Sequence, residues 1–190
     1  MIFHLFRRTP GEATIARLYG MIVAQARAQA FYRDYGVPDT VNGRFEMVVL
    51  HTCLLLRRLD GEPQARPLGQ AVFDRFCLDM DDHLREFGVG DLAVPRKMQK
   101  IGEAFFGRQK AYGAALDSSH DEGLVAALAR NVFGAQSRVA DARRLAAYVR
   151  AAGASLARQE TGVLGRGEPI FPDPERISAG VGDYVECERP

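Results

Sequence analysis

Residues 73–108 read FDRFCLDMDDHLREFGVGDLAVPRKMQKIGEAFFGR, and their pattern decides the fold. Phe73, Phe76, Met80, Leu84 and Phe87 recur at steps of three and four, the single stripe of an amphipathic helix. Gly88 ends that helix, because glycine takes the left-handed conformation of a C-terminal cap without a Cβ penalty, and Gly90 loosens the turn. Pro95 suits the first turn of the next helix, where a missing N–H has no partner to lose. Met98, Ile101, Phe105 and Tyr112 then restart the stripe. The stretch is a helical hairpin. Asp79, Asp81 and Asp82 precede its elbow while Arg96, Lys97 and Lys100 follow it, so folding brings an acidic face near a basic one.

Upstream, Val41–Asp60 is predicted as a helix capped by Asp39 or Thr40, with Val41, Phe45, Val48, Thr52, Leu55 and Leu59 on its stripe. Met47, Val49, Leu50, Leu54 and Leu56 make it apolar nearly all round, so it is a central helix covered on several sides. The remaining spacing predicts helices over Glu12–Tyr32, Leu68–Phe87, Pro95–Leu116, Asp121–Phe133 and Arg138–Gln159. Ser119 stands three residues before Glu122, the spacing of a capping box for the fifth of these. Alternating β-rich runs are absent. The predicted fold is all-α, a single-domain bundle of about six helices over residues 1–160, followed by an irregular C-terminal arm over 161–190.

A hydrophobic content of 47% supports a real core and argues against disorder. The net charge of +1 leaves no general footprint for nucleic acid, and no specific nucleic-acid partner is expected. Cys53, Cys77 and Cys187 are widely spaced and unpaired in pattern, which suits a reducing cytoplasm. The longest apolar run, Met47–Leu56, is about half the ~20 residues needed to span a bilayer. The N-terminal MIFHLFRR has its apolar residues before its charges, the reverse of a secretory signal. Phe3 and Phe6 with Arg7 and Arg8 are a speculative membrane contact. The chain reads as cytoplasmic, with peripheral attachment to the inner face of the membrane as a second option.

No catalytic set emerges. Asp79, Asp82, His83 and Glu86 share one helix face and are all metal-binding types, but no facing helix supplies the matching carboxylate and histidine pair. A solvated or ion-paired face is the better reading, and no metal or other cofactor is expected. Gly88–Ala93 formally matches G-x-G-x-x-A, yet a helix precedes it where the dinucleotide fingerprint needs a strand. Ser118, Ser119, His120 and Asp121 are triad types held contiguously in one capping loop, which cannot assemble a triad. The chain is expected not to be an enzyme. Arg96, Lys97 and Lys100 occupy the start of a helix, where its dipole disfavours cations by a few tenths of a kcal/mol. Either Asp79, Asp82 or Asp91 pairs with them across the hairpin, or they meet an acidic partner, RNA or anionic lipid headgroups.

Two blocks carry a family resemblance. DMDDHLREFGVGDLAVPRKMQKIGEAFFGR (79–108) resembles the signature of the ubiquinol–cytochrome c chaperone family, and YGVPDTVNGRFEMVVLHTCLLLRRL (35–59) is similar to its upstream segment. The matched positions are Tyr35, Gly36, Asp39, Gly43, Arg44 and Glu46, then Asp79, Asp81, Arg85, Gly88, Gly90, Asp91, Pro95, Arg96, Lys97 and Met98. The resemblance implies a chaperone that binds newly made cytochrome b during assembly of the respiratory bc1 complex. In mitochondria such proteins work with a small partner near the ribosomal exit. It nominates Tyr35, Asp39, Arg44, Glu46, Asp79, Asp81, Arg85, Asp91, Arg96, Lys97 and Met98 as client- or partner-binding, on a partly apolar groove of the predicted second to fourth helices, and the basic trio adds Lys100. The competing expectations are a bundle that holds haem, quinone or a metal through His51, His83 or the acidic face, and a peripheral membrane scaffold.

Overall fold

The computed structural model describes residues 11–134 and 138–177. In these it has α1 (Glu12–Ala26), α2 (Gln29–Arg33), α3 (Val41–Asp60), α4 (Arg66–Glu86), α5 (Val94–Asp117), α6 (Glu122–Asn131), α7 (Val139–Ala157) and α8 (Thr161–Gly165). No strand occurs among the described residues, and the class is all-α. The candidate membrane contact Phe3, Phe6, Arg7 and Arg8, like Cys187, lies outside the described residues.

Helix α3 is the axis. Residues 46–56 are buried without interruption, and α1, α4, α5 and α7 all pack against it. An all-round apolar helix must be covered on every side, which accounts for this placement. Thr40 caps its start by accepting a hydrogen bond from the Gly43 N–H at 3.1 Å. At its other end Arg58 donates to the carbonyls of Leu156 and Gln159, satisfying the frayed terminus of α7.

Gly43 has no room for a side chain: a Cβ there would lie 2.0 Å from the Pro38 carbonyl oxygen. Gly43→Ala is expected to destabilise the fold by about 2–3 kcal/mol, since backbone must move. Gly20→Ala on α1, where nothing lies within 4 Å, is expected to be neutral or to gain up to ~1 kcal/mol. Urea unfolding of the two variants side by side checks the contrast.

The hairpin forms as its sequence requires. Gly88 takes φ 75°; its N–H donates to the Arg85 carbonyl and that of Val89 to the Leu84 carbonyl. This is a Schellman close of α4. Phe73, Phe76 and Phe105 then pack together, with ring centroids 4.9 and 5.1 Å from Phe105, and Phe76 reaches Phe45 of α3.

Two expectations need correction. The predicted helix Glu12–Tyr32 is broken, because Ala28 is extended (φ −56°, ψ 128°) between α1 and α2. Phe31 follows Ile22 by about two and a half helical turns, so an unbroken helix would aim it away from the core. The break turns Phe31 inward, fully buried, with its ring 4.7 Å from that of Tyr148. The capping box before α6 does not form. Asp121 is the N-cap without a side-chain cap bond, while Arg150 bonds the Asp121 carboxylate and the carbonyls of Ser118 and His120. Those charge-assisted bonds outcompete a neutral hydroxyl. The C-terminal arm is short and irregular as expected, and its described part, residues 161–177, holds the five-residue helix α8 and a further turn at 174–177.

This last segment is strapped to the body by hydrogen bonds to its backbone. Tyr35 Oη donates to the Pro174 carbonyl at 2.7 Å and Gln25 Nε2 to that of Pro172 at 3.0 Å. The Gln159 amide donates to the Ile170 carbonyl and accepts from its N–H. Phe171 lies edge-on to His51, with centroids 5.3 Å apart.

Candidate functional site

Where α1, α3 and α4 meet, their facing stripes leave an open cavity of about 230 Å³. Val23, Val41, Phe45, Val48, Met80 and Phe87 give it apolar walls, and Arg27, Arg44, Asp79 and His83 stand among them. Val41 and Phe87 are 70% and 69% exposed, so the apolar surface continues onto the outside of the protein. Such a convergence of apolar walls with a few charged groups is the usual form of a recognition pocket. A polar basin of about 570 Å³ adjoins it and shares Arg27 and Arg44.

Asp79 is held in place from α1. Tyr19 Oη donates to its Oδ2 at 2.7 Å, and burial, reinforced by Asp79, pushes the Tyr19 phenol far above its ordinary range. Tyr19 therefore remains a donor. His83 Nδ1 lies 3.5 Å from the same carboxylate oxygen, is buried, and makes no hydrogen bond among the described residues. Arg44 Nε donates to Asp39 at 2.6 Å, and its guanidinium lies 5.9 Å from the centre of the Tyr32 ring. The Arg44 guanidinium holds the Asp39 carboxyl below its usual value.

The remaining nominated residues separate into three groups. Tyr35 and Glu46 face inward. Tyr35 is fully buried beside Tyr148 and Phe31. Glu46 takes a bidentate grip from Arg108, Nε to Oε2 at 2.6 Å and Nη2 to Oε1 at 2.5 Å. Desolvation pushes the Glu46 carboxyl up, and Arg108 offsets only part of that shift. Asp81, Arg85 and Asp91 form a clamp over the elbow, with Arg85 bonding Asp81 at 2.6 Å and Asp91 at 2.5 Å. Arg96, Lys97 and Lys100 are exposed on α5 and form no ion pair among the described residues, while Met98 beneath them packs against the core.

The pairing of that basic trio across the hairpin is therefore absent. Arg85 has taken Asp91, and Tyr19 has taken Asp79. Val23 and Arg27, which complete the pocket from α1, carry no signal in the sequence beyond their places on a helix. Among the described residues no cluster of three or more His, Cys, Asp or Glu could hold a metal ion, and no helix is long and apolar enough to cross a membrane. Both ring nitrogens of His51 are engaged: Nδ1 donates to the Met47 carbonyl at 2.7 Å, so Nε2 accepts from Tyr148 Oη at 2.8 Å.

A sequence model of the ubiquinol-cytochrome C chaperone family matches residues 33–171, and the chain belongs to that family. It is 25% identical over 121 residues to ubiquinol-cytochrome-c reductase complex assembly factor 1 of Xenopus laevis, a match covering 63% of this chain and 60% of that protein's length. The crystal structure of the Cbp3 homolog from Brucella abortus is similar with a TM-score of 0.82 at 41% identity, covering 93% of this chain and 99% of that one.

Proposed function

We propose that this protein is an assembly chaperone for ubiquinol–cytochrome c reductase, that its client is newly made cytochrome b, and that it acts by binding, with no catalytic step. The pocket between α1, α3 and α4 receives an apolar side chain of a client segment, and Val41 and Phe87 extend the contact outside it. The observation that carries this reading is that apolar surface runs from a formed cavity to exposed residues, with every apolar wall but Val23 in the matched blocks. A chaperone must hold hydrophobic chain without burying it irreversibly, and a half-open pocket does that. Asp79 and Arg44 flank the seat with opposite charges; Asp39, Asp81, Arg85 and Asp91 hold the groups around it. Tyr35 and Glu46 serve the reading from inside the core, Tyr35 tying the start of the matched region to the Pro174 carbonyl and Glu46 tying α3 to Arg108 of α5.

Val41→Asp and Phe87→Asp test it, because both side chains are exposed and the fold does not depend on them. Each is expected to reduce co-purification of cytochrome b about tenfold, and a strain carrying the double variant should lose bc1 haem signals from its membranes. Full client recovery with unchanged spectra would overturn the assignment of this pocket. Unchanged spectra after deletion of the whole gene would overturn the chaperone reading itself.

A further inference from the structure

The solvent face of α5 gathers the lysines of the chain. The lysines of the chain are Lys97, Lys100 and Lys110, and all three lie on this helix with Arg96. None of the four cations has an ion-pair partner among the described residues, and all four are exposed. With 3.6 residues per turn, Leu92, Arg96, Lys100, Phe106 and Lys110 fall on one outward stripe, opposite the buried Val94 and Phe105. Leu92, in the turn before the helix, is fully exposed, and Phe106 is 56% exposed. Glu103 is the acid on the stripe and is bonded by Gln99; Asp91, beside Leu92, is held by Arg85.

We propose that this face docks on the surface of an anionic lipid bilayer, with Arg96, Lys100 and Lys110 at the headgroups, Leu92 inserted at the acyl boundary and the exposed edge of Phe106 beside it. The charge pattern selects this occupant. Cations left unpaired on a helix start, against the helix dipole, gain from an external anionic plane. Leu92 projects freely beside those cations, and Phe106, its ring against Phe73 at 5.4 Å, shows its outer edge; such a mixture suits the headgroup boundary, which solvates a long cationic stem and an apolar tip together. The site lies on α5 and the turn before it, whereas the client pocket is lined from α1, α3 and α4, and it requires no client.

The test is co-sedimentation of the purified full chain with vesicles of mixed phosphatidylglycerol and phosphatidylcholine, against phosphatidylcholine alone, at low and physiological salt. Binding to the anionic vesicles only, weakened by salt, is expected. Arg96→Gln/Lys100→Gln/Lys110→Gln should lower partitioning about a hundredfold, at roughly fivefold for each cation. Leu92→Ser should lower it about tenfold. Melting temperatures should stay unchanged, since these side chains touch nothing the fold needs. Three results would overturn the proposal: no binding by the wild type, binding that the α5 variants leave intact, or binding lost on removing residues 1–8 but not in the α5 variants. A triple variant that loses cytochrome b capture while its vesicle binding is intact would assign the face to the client instead.

Discussion

Arg108→Ala is expected to lower the unfolding free energy by about 3–5 kcal/mol at neutral pH, the range for orphaning one member of a buried ion pair. Glu46 is 1% exposed, on the central helix, and Arg108 reaches it from α5 with two short, parallel hydrogen bonds. Removing the guanidinium leaves a carboxylate in the core with neither water nor a donor. The pH dependence identifies the cause. Burial already raises the Glu46 carboxyl above its ordinary value, and losing Arg108 raises it further. A group whose folded pKa is raised favours the protonated form in the fold, so the penalty is smallest in acid and grows as pH rises. The deficit of Arg108→Ala should thus shrink between pH 7 and pH 4.5. Replacing both partners with leucine should recover most of the loss. A deficit below about 1 kcal/mol, or one independent of pH, would show that the pair does not anchor α5 to α3.

The wild type is expected to lose about 3 kcal/mol more stability than His51→Gln on going from pH 7 to pH 4. His51 is fully buried, and desolvation pushes its imidazole down from 6.5 to about 4. The folded protein thus keeps it neutral while the unfolded chain takes a proton near pH 6.5. A depressed histidine contributes stability that is complete above the unfolded value and disappears as pH falls toward the folded one. Its window is pH 6.5 to 4. Carboxylates that also titrate there are common to both proteins, so the difference between the two curves isolates His51. Parallel curves for wild type and variant in urea unfolding would remove His51 as the acid-sensitive group.

Much of the architecture was legible, for reasons that are local. The apolar girth of Val41–Asp60 required a central helix, and Gly88 required a sharp end to α4. What escaped the sequence depends on residues far apart in the chain. The break at Ala28 exists because Phe31 is seated on Tyr148, and the cap of α6 is decided by Arg150; neither partner is visible in a window of neighbouring residues. The site was read by the same halves. Asp79 and Arg44 were marked and do line the pocket, but Tyr35 and Glu46, marked equally, point into the core. Sequence pattern marks positions without separating those buried in the core from those that line an open pocket. The pocket walls Val23 and Arg27 became visible only when three helices were placed together.

The strap at residues 170–174 also sets an order of events during synthesis. The hydroxyl of Tyr35 and the ring of His51 belong to the first third of the chain, whereas their cover, Phe171 and the Pro174 carbonyl, is translated more than a hundred residues later. Throughout that interval a ribosome-bound chain holds its central helix with one flank open. The body therefore reaches its finished form only as its last described turn emerges, and nascent chains halted before residue 171 should be cut by protease where the released protein resists.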